Sequence, residues 1–382
     1  MPTNFRLFLI LLAASSAIVP ASAQHLVVSA PPGRARLAEV VEIPLTEARQ
    51  HIPDLDHKLA ENAATHEKLT TQIASGNLLI AVTIPASGKL TIGFIPGDPS
   101  TQPPQVFGRE ATERKDDYAW ENKYVTYRVY GPALEATGEI TSGIDVWSKR
   151  VPNFVIDSFY KRDSEGQRTH NPALSYHKDD GIGLDSYEVG KTRGCGGTAV
   201  ISGGKLWVSN NYTHLKQLAN GPVRFQFELT YAPWNANGVE VTETKRITLD
   251  AGTHLNRIDS TFTFTGVQTI EAAAGLAIHK GAGFAQLAQG QVLSVWDTPQ
   301  DPTADRIATG MIEGPNQTAT AVQLGGQAFL DYPVHNGQTF TYYAGSGWSK
   351  SDMPTQQAWN TYLDQTLDQL KHPLQHHWEG KR

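Results

Sequence analysis

The run Ser175 to Val200, SYHKDDGIGLDSYEVGKTRGCGGTAV, holds the densest set of reactive groups in the chain: His177, Asp179, Asp180, Asp185, Tyr176, Tyr187, Lys191, Arg193 and the single cysteine, Cys195. Three chemistries compete for it. VGKT looks like the end of a phosphate loop, but its distance from Gly183 is too long for the cradle of backbone N–H groups that such a loop forms, and no apolar strand leads into it. A calcium loop needs acidic side chains at alternate positions ahead of a glycine, and Asp179, Asp180 and Asp185 are not so spaced. No second histidine stands at ligand spacing from His177, so no metal and no cofactor are expected; a divalent metal held by His177 and a neighbouring Asp stays the alternative. What remains is a glycine-rich loop carrying an acid, a base and hydrogen-bonding groups, or a purely structural loop whose Asp side chains cap turns.

Four further blocks tilt the balance towards a site. Gly108 to Leu134 contains Arg109, Arg114, Asp116, Asp117, Trp120, Glu121, Asn122 and Arg128 beside or within a strand. Ser142 to Arg150 adds Asp145, Trp147 and Lys149; Leu276 to Gly281 ends an apolar run on His279; Tyr342 to Asp352 brings Trp348 and Lys350. Trp and Tyr interleaved with Arg, Lys, Asp and Asn suit a sugar cleft, where aromatic faces stack on pyranose rings and polar groups read hydroxyls and carboxylates. Each Trp taken singly is more often core than platform.

These groups need a scaffold, and the rest of the chain supplies a β-rich one. Asn77 to Pro85, Lys89 to Pro96, Lys123 to Gly131, Val223 to Tyr231, Val239 to Asp250 and His254 to Gly266 alternate apolar and polar residues and are rich in Val, Ile, Thr, Tyr and Phe. Many antiparallel strands at short spacing predict a sandwich or barrel, all-β, with few helices. The clearest helix is C-terminal, Thr355 to Leu370, with Trp359, Leu363, Leu367 and Leu370 on one face and Pro373 after it. The tail carrying His372, His376 and His377 reads as a solvated terminus. Arg6 followed by LFLILLAASSAIV and Ala21-Ser22-Ala23 reads as a cleavable leader, residues 1–23, leaving one β domain, 24–382, in the periplasm or outside the cell. One cysteine excludes an internal disulfide, and a net charge of −6 with mixed signs argues against nucleic acid and membrane partners. Asn211-Tyr-Thr and Asn316-Gln-Thr match glycosylation triplets that also occur by chance. Oligomeric state is not legible.

The runs ERKDDYAWENKYVTYRVYGPAL, SGIDVWSKR, YHKDDGIGLDSYEVGKTRGCGGTAV, NGPVRFQFELTY, AGLAIHKG and YYAGSGWSK resemble a bacterial exported family, domain of unknown function 4861, from Phe107 to Leu363. That resemblance implies a protein of polysaccharide-degrading bacteria. It also implies a large antiparallel β-supersandwich shaped like galactose mutarotase, and a lyase or dehydratase acting on uronic-acid-containing or sulfated oligosaccharides. Elimination next to a carboxylate needs a base poised near neutrality, a cation or donors for the developing enolate, and an acid for the departing oxygen. His177 or His279 is the candidate base, Tyr187 or Tyr176 the acid, with Lys350 beside them. Arg109, Arg128, Lys149, Lys191 and Arg193 are candidates for gripping the carboxylate or sulfate. Asn122 is a donor, Asp116 and Asp185 are polar contacts, and Trp120, Trp147 and Trp348 are stacking platforms. The alternatives are a mutarotase or epimerase using the same groups, a two-carboxylate hydrolase, and a glycan-binding module without catalysis.

Overall fold

The computed structural model describes residues 24–33 and 35–380, so the leader read at 1–23 lies outside the described residues. Strands make up 49% of the chain and helices 17%, which makes this a mostly β protein. All paired strands run antiparallel in five sheets; the one parallel contact among the described residues is a single bridge, Ile144 to Gly194. The largest sheet runs Tyr212–Asn220, Arg224–Tyr231, Val239–Asp250, Leu255–Phe264, Thr339–Trp348, Ile307–Glu313, Val292–Asp297, Gly283–Leu287, with Trp234–Ala236 added beside Val239–Asp250. Two five-stranded sheets face it. One is Lys205–Trp207, Cys195–Ser202, Thr269–Ala277, Gln327–His335, Thr320–Leu324; the other is Gly183–Leu184, Asp145–Lys149, Val125–Val129, Asp117–Asn122, Val106–Ala111.

Alternation explains the layers. Along Val239–Asp250 the residues Val241, Ile247 and Leu249 point inward and meet Phe225, Phe227, Ala272, Ala274, Trp120 and Tyr127 in one apolar core. The same period drives Glu243 and Lys245 inward, where Glu243 accepts from Thr198 and Ser260 and lies 3.5 Å from the Lys245 ammonium.

Helices cover the outside. α1 (Leu45–His51) and α2 (Pro132–Glu135) are short. α3 (Ile156–Thr169) was not expected: only Ile156, Phe159 and Tyr160 make an apolar start, and the rest of it is polar with Gly166 inside. α4 (Gln356–Lys371) falls where its periodicity placed it, capped by the Thr355 hydroxyl on the Ala358 N–H, with Trp359, Leu363 and Leu367 laid on the back of the largest sheet. No described helix is long and apolar enough to cross a membrane.

Against the expectation of one continuous sandwich, the N-terminal segment has an apolar core of its own, from Leu26 to Ile92. Its four-stranded sheet is closed by the C-terminal strand Gln375–Glu379, paired with His25–Ser29. The expected solvated tail is therefore a structural strand: Trp378 stacks on His51 at 4.5 Å, and its indole N–H and His376 both meet one Glu47 oxygen. This lobe meets the sandwich through polar contacts, Glu42 with Arg224 and Gln72 with the main chain of Val223 and Arg224. Asn211, the first of the glycosylation triplets, is buried and bonds the carbonyls of Gly131 and Glu139, which excludes a glycan there in the folded chain.

One buried carboxylate starts α3. Glu121 accepts from the N–H groups of Val155 and Ile156 at 2.8 and 2.9 Å, where helix N–H groups lack intrahelical partners, and from the Lys149 ammonium at 2.7 Å. Removing it leaves a buried cation and orphaned donors. Glu121→Ala should cost about 3–5 kcal/mol, read as a lowered urea midpoint.

Candidate functional site

Four segments bring their charged residues to one buried point. The alternation of Asp117–Asn122, Val125–Val129 and Asp145–Lys149 places Asp117, Arg128 and Asp145 side by side: in the ladder, Asp145 stands opposite Arg128. The loop that follows α3 adds Tyr176 and Asp185, tied together by the Asp185 N–H on the Tyr176 carbonyl. One guanidinium nitrogen of Arg128 lies 2.6 Å from Asp145 and 2.9 Å from Asp185; the other lies 3.6 Å from Asp117. Trp147, Tyr130 and Tyr176 stack around the guanidinium, at 4.9 to 5.7 Å. Arg114 clamps Asp117 from outside and bonds Glu139, and the Tyr160 hydroxyl donates to Asp117.

Burial raises all three carboxyls above their ordinary value. Asp145 moves furthest, to about 7, because burial and the adjacent Asp185 charge together exceed what Arg128 offsets. Burial likewise lifts Tyr176 and, more strongly, Tyr130 and Tyr160.

Above this cluster opens a cleft of about 660 Å³, lined by Arg114, Tyr176 and His177 on one side and by Asp163, Gln167, His170 and Asn171 at the end of α3 on the other. His177 is half exposed, with its ring edge-on to Tyr176 at 4.6 Å. Its Nδ1 lies 2.9 Å from the Asp185 main-chain oxygen and 3.7 Å from that residue's carboxylate. A carbonyl oxygen only accepts, so Nδ1 carries the hydrogen and Nε2, without a partner among the described residues, holds the lone pair. The acids between are spent on the scaffold: Asp179 and Asp180 cap local turns and pair with Arg150 and Arg162. Gly183 and Gly194 admit neighbouring main chain rather than ligand, since a Cβ there would sit 2.2 Å from the Ser148 oxygen and 2.1 Å from the Ile144 oxygen. Among the described residues no group of His, Cys, Asp and Glu has the geometry to hold a metal ion.

Tyr187 and His279 meet elsewhere, with ring centres 5.4 Å apart. His279 places Nδ1 2.6 Å from Asp297 and Nε2 2.7 Å from the Glu188 carbonyl, so both nitrogens donate and neither has a lone pair for catalysis. Burial disfavours its charge, but the Asp297 carboxylate outweighs that and raises its pKa. Tyr187 has its hydroxyl sealed in the core and far above the ordinary phenol range, through burial first. Neither can serve as base or acid to a substrate in the cleft.

Other expected contacts are scaffold. Trp120 and Trp147 are wholly buried, and Trp120 donates to Asn256, so neither can stack on a sugar. Trp348 is buried, donates to the Ala304 carbonyl, and is covered by Arg150 at 4.5 Å. Lys350 bonds the Thr303 carbonyl and does not line His177's cleft. Asn122 holds the carbonyls of Asp250 and Thr253, and Asp116 caps α2 through Ala133 and Leu134. Lys149 is fully paired with Glu121, Arg109 is held on the surface by Glu113 and Asp157, and Arg193 lies in the sandwich core on Ser142. Arg128 and Asp185 stand behind the cleft rather than in it. Arg114, which the sequence offers only as one member of a charged block, lines it with His170 and Asn171, which carry no sequence signal; these separate runs meet at α3.

The family model described as Domain of unknown function (DUF4861) matches residues 28–375. Uncharacterized protein P7 of Formosa agariphila is 32% identical over 283 residues, covering 70% of this chain and 69% of that protein. Among solved structures, a protein in the glycosyl hydrolase family 38 from Enterococcus faecalis aligns with a TM-score of 0.50 at 9% identity, over 94% of this chain and 48% of that one. An alpha-mannosidase from Enterococcus faecalis V583 aligns at 0.49 and 9%, over 94% and 46%. This chain thus spans about half the length of each solved chain, and its likeness to the family 38 protein is one of fold.

The raised pKa of His279 makes it a pH-dependent clamp. Its contribution to stability is full below the ordinary value of 6.5 and fades as pH rises through the folded value. The difference in thermal midpoint between the native chain and His279→Asn should be largest near pH 6 and shrink towards pH 9.

Proposed function

The chain belongs to the DUF4861 family, and from the geometry of its cleft we propose that it is an exported, carbohydrate-active lyase or dehydratase whose substrate is a uronic-acid-containing or sulfated oligosaccharide. The leader at residues 1–23 supports the exported location, and the stacked antiparallel sheets are compatible with a galactose-mutarotase-like supersandwich. One observation carries the chemistry: His177 has Nδ1 committed to a main-chain oxygen and Nε2, without a partner among the described residues, at a cleft that Arg114 also lines.

In this reading His177 Nε2 takes the proton from the carbon beside the substrate carboxylate. The electron pair moves onto that carboxylate, whose charge Arg114, shared with Asp117 and Glu139, offsets in part. The C–O bond at the next carbon then breaks, and the departing oxygen takes a proton from the imidazolium just formed or from water. Gln167, Asn171 and His170 read hydroxyls on the opposite wall. The glycosidase names of the solved neighbours raise hydrolysis as a second reading, but among the described residues Asp163 is the only carboxylate that lines the cleft, and two-carboxylate hydrolysis needs a flanking pair. Asp117, Asp145 and Asp185 are buried on arginines and do not line it.

His177→Gln removes the base while leaving the fold intact, since the ring is half exposed. Turnover of uronate or sulfated oligosaccharides, followed by the ultraviolet absorbance of a conjugated unsaturated uronate and by loss of water in the mass spectrum, should fall about 10²–10⁴-fold. Unchanged turnover in His177→Gln, or no unsaturated product from the native chain across a broad panel, would sink the assignment. Solvent deuterium entering a saturated product would favour epimerisation, and binding without turnover a glycan-binding module.

A further inference from the structure

Behind the cleft, three carboxyls share two guanidiniums. Asp117 lies on Arg114 and Arg128, Asp145 and Asp185 both lie on a single nitrogen of Arg128, and Arg114 is further divided with Glu139. The faces around them hold Tyr130, Trp147, Tyr160 from α3, Tyr176 and His177, with Tyr187 next along the loop; no further cation bonds the three carboxyls among the described residues. Fully ionised, the buried group would carry an uncompensated negative charge where water is excluded, and two carboxylates gripping one nitrogen repel each other as a close acid pair does.

Resting on the proposed role of His177, we propose that the Asp145–Asp185 pair keeps one proton at neutral pH, and that Asp185 is a positioning residue through which the loss of that proton is felt at His177. The connection is short. Asp185 is the residue whose main-chain oxygen holds His177 Nδ1, whose carboxylate lies 3.7 Å from the same nitrogen, and whose other bond is to Arg128. With the pair singly protonated, Arg128 is matched and Asp185 stays seated on it. When Asp145 ionises at 2.6 Å from Arg128, the guanidinium is drawn to the nearer, more enclosed carboxylate, and the grip on Asp185 and on the loop carrying His177 loosens. The proton resides mainly on Asp145, the carboxyl that burial raises to about 7, although the titration belongs to the pair.

The test is nuclear magnetic resonance on the full chain without substrate, with aspartate side-chain carboxyls labelled with carbon-13 and histidine rings with nitrogen-15. One Asp carboxyl should titrate near pH 7, at least two pH units above an ordinary aspartate, and the His177 signals should show, besides the step of the ring's own protonation, a second step at the same pH as that carboxyl. In Asp145→Asn the carboxyl titration and the second step at His177 should vanish together, leaving only the ring's own protonation. A chain in which every Asp carboxyl titrates below about pH 5.5 overturns the shared proton. A neutral-range carboxyl with no second step at His177 overturns the coupling. The native chain alone gives both readings, so a variant that does not fold leaves the test intact. Because no turnover is measured, failure here is distinct from failure of the elimination reading, which His177→Gln decides.

Discussion

Arg128 is the interaction on which the site depends. Its guanidinium receives carboxylates from two neighbouring strands and from the loop after α3, and it is enclosed by Trp147, Tyr130 and Tyr176. Such a cation is costly to bury, and only several well-placed partners offset that cost, so the strands and the loop must be in register together or not at all. The loop between Tyr176 and Asp185 has few backbone bonds of its own; its shape follows from Asp185 reaching Arg128 and from Asp179 and Asp180 reaching Arg150 and Arg162. The position of His177 therefore follows from charge pairing together with the edge strand Gly183–Leu184, which pairs with Asp145–Lys149.

The same rule recurs through the fold. Glu121 with Lys149 starts α3, and Glu243 with Lys245 and Thr198 sits inside the sandwich. In each case strand alternation sends a charged residue inward, and a partner on the same or a facing strand receives it. This is why so many residues that look catalytic in sequence turn out to be joints of the scaffold. A Lys, an Arg or an Asp in an otherwise apolar strand signals burial with a partner as readily as it signals a site.

Legibility followed the range of the interaction. Strands such as Val239–Asp250 and the helix Gln356–Lys371 show themselves through periodicity, which is local and repeated. α3 does not, because its apolar stripe is only the first turn and its N-terminus is capped by Glu121, distant in the chain. The C-terminal strand is equally hidden: its partner is at the opposite end of the protein, so its His-rich composition suggests a solvated tail. Within the dense run from Ser175, residue types single out His177, Tyr176 and Asp185, but they also single out Tyr187 and Arg193, which the core absorbs.

From residue types and spacing alone the protein is an antiparallel β protein with a C-terminal helix, without disulfides, whose run at Ser175 is neither a phosphate loop nor a calcium loop. Those conclusions need only local rules of alternation, loop length and ligand spacing. Which histidine keeps a free lone pair was decided by tertiary structure, because it depends on what each ring nitrogen meets: a single carbonyl at His177, and both a carboxylate and a carbonyl at His279. Which tryptophans are exposed, and which carboxylates are already spent on arginines, was decided the same way. Sequence distance carries no record of contacts made between opposite sheets.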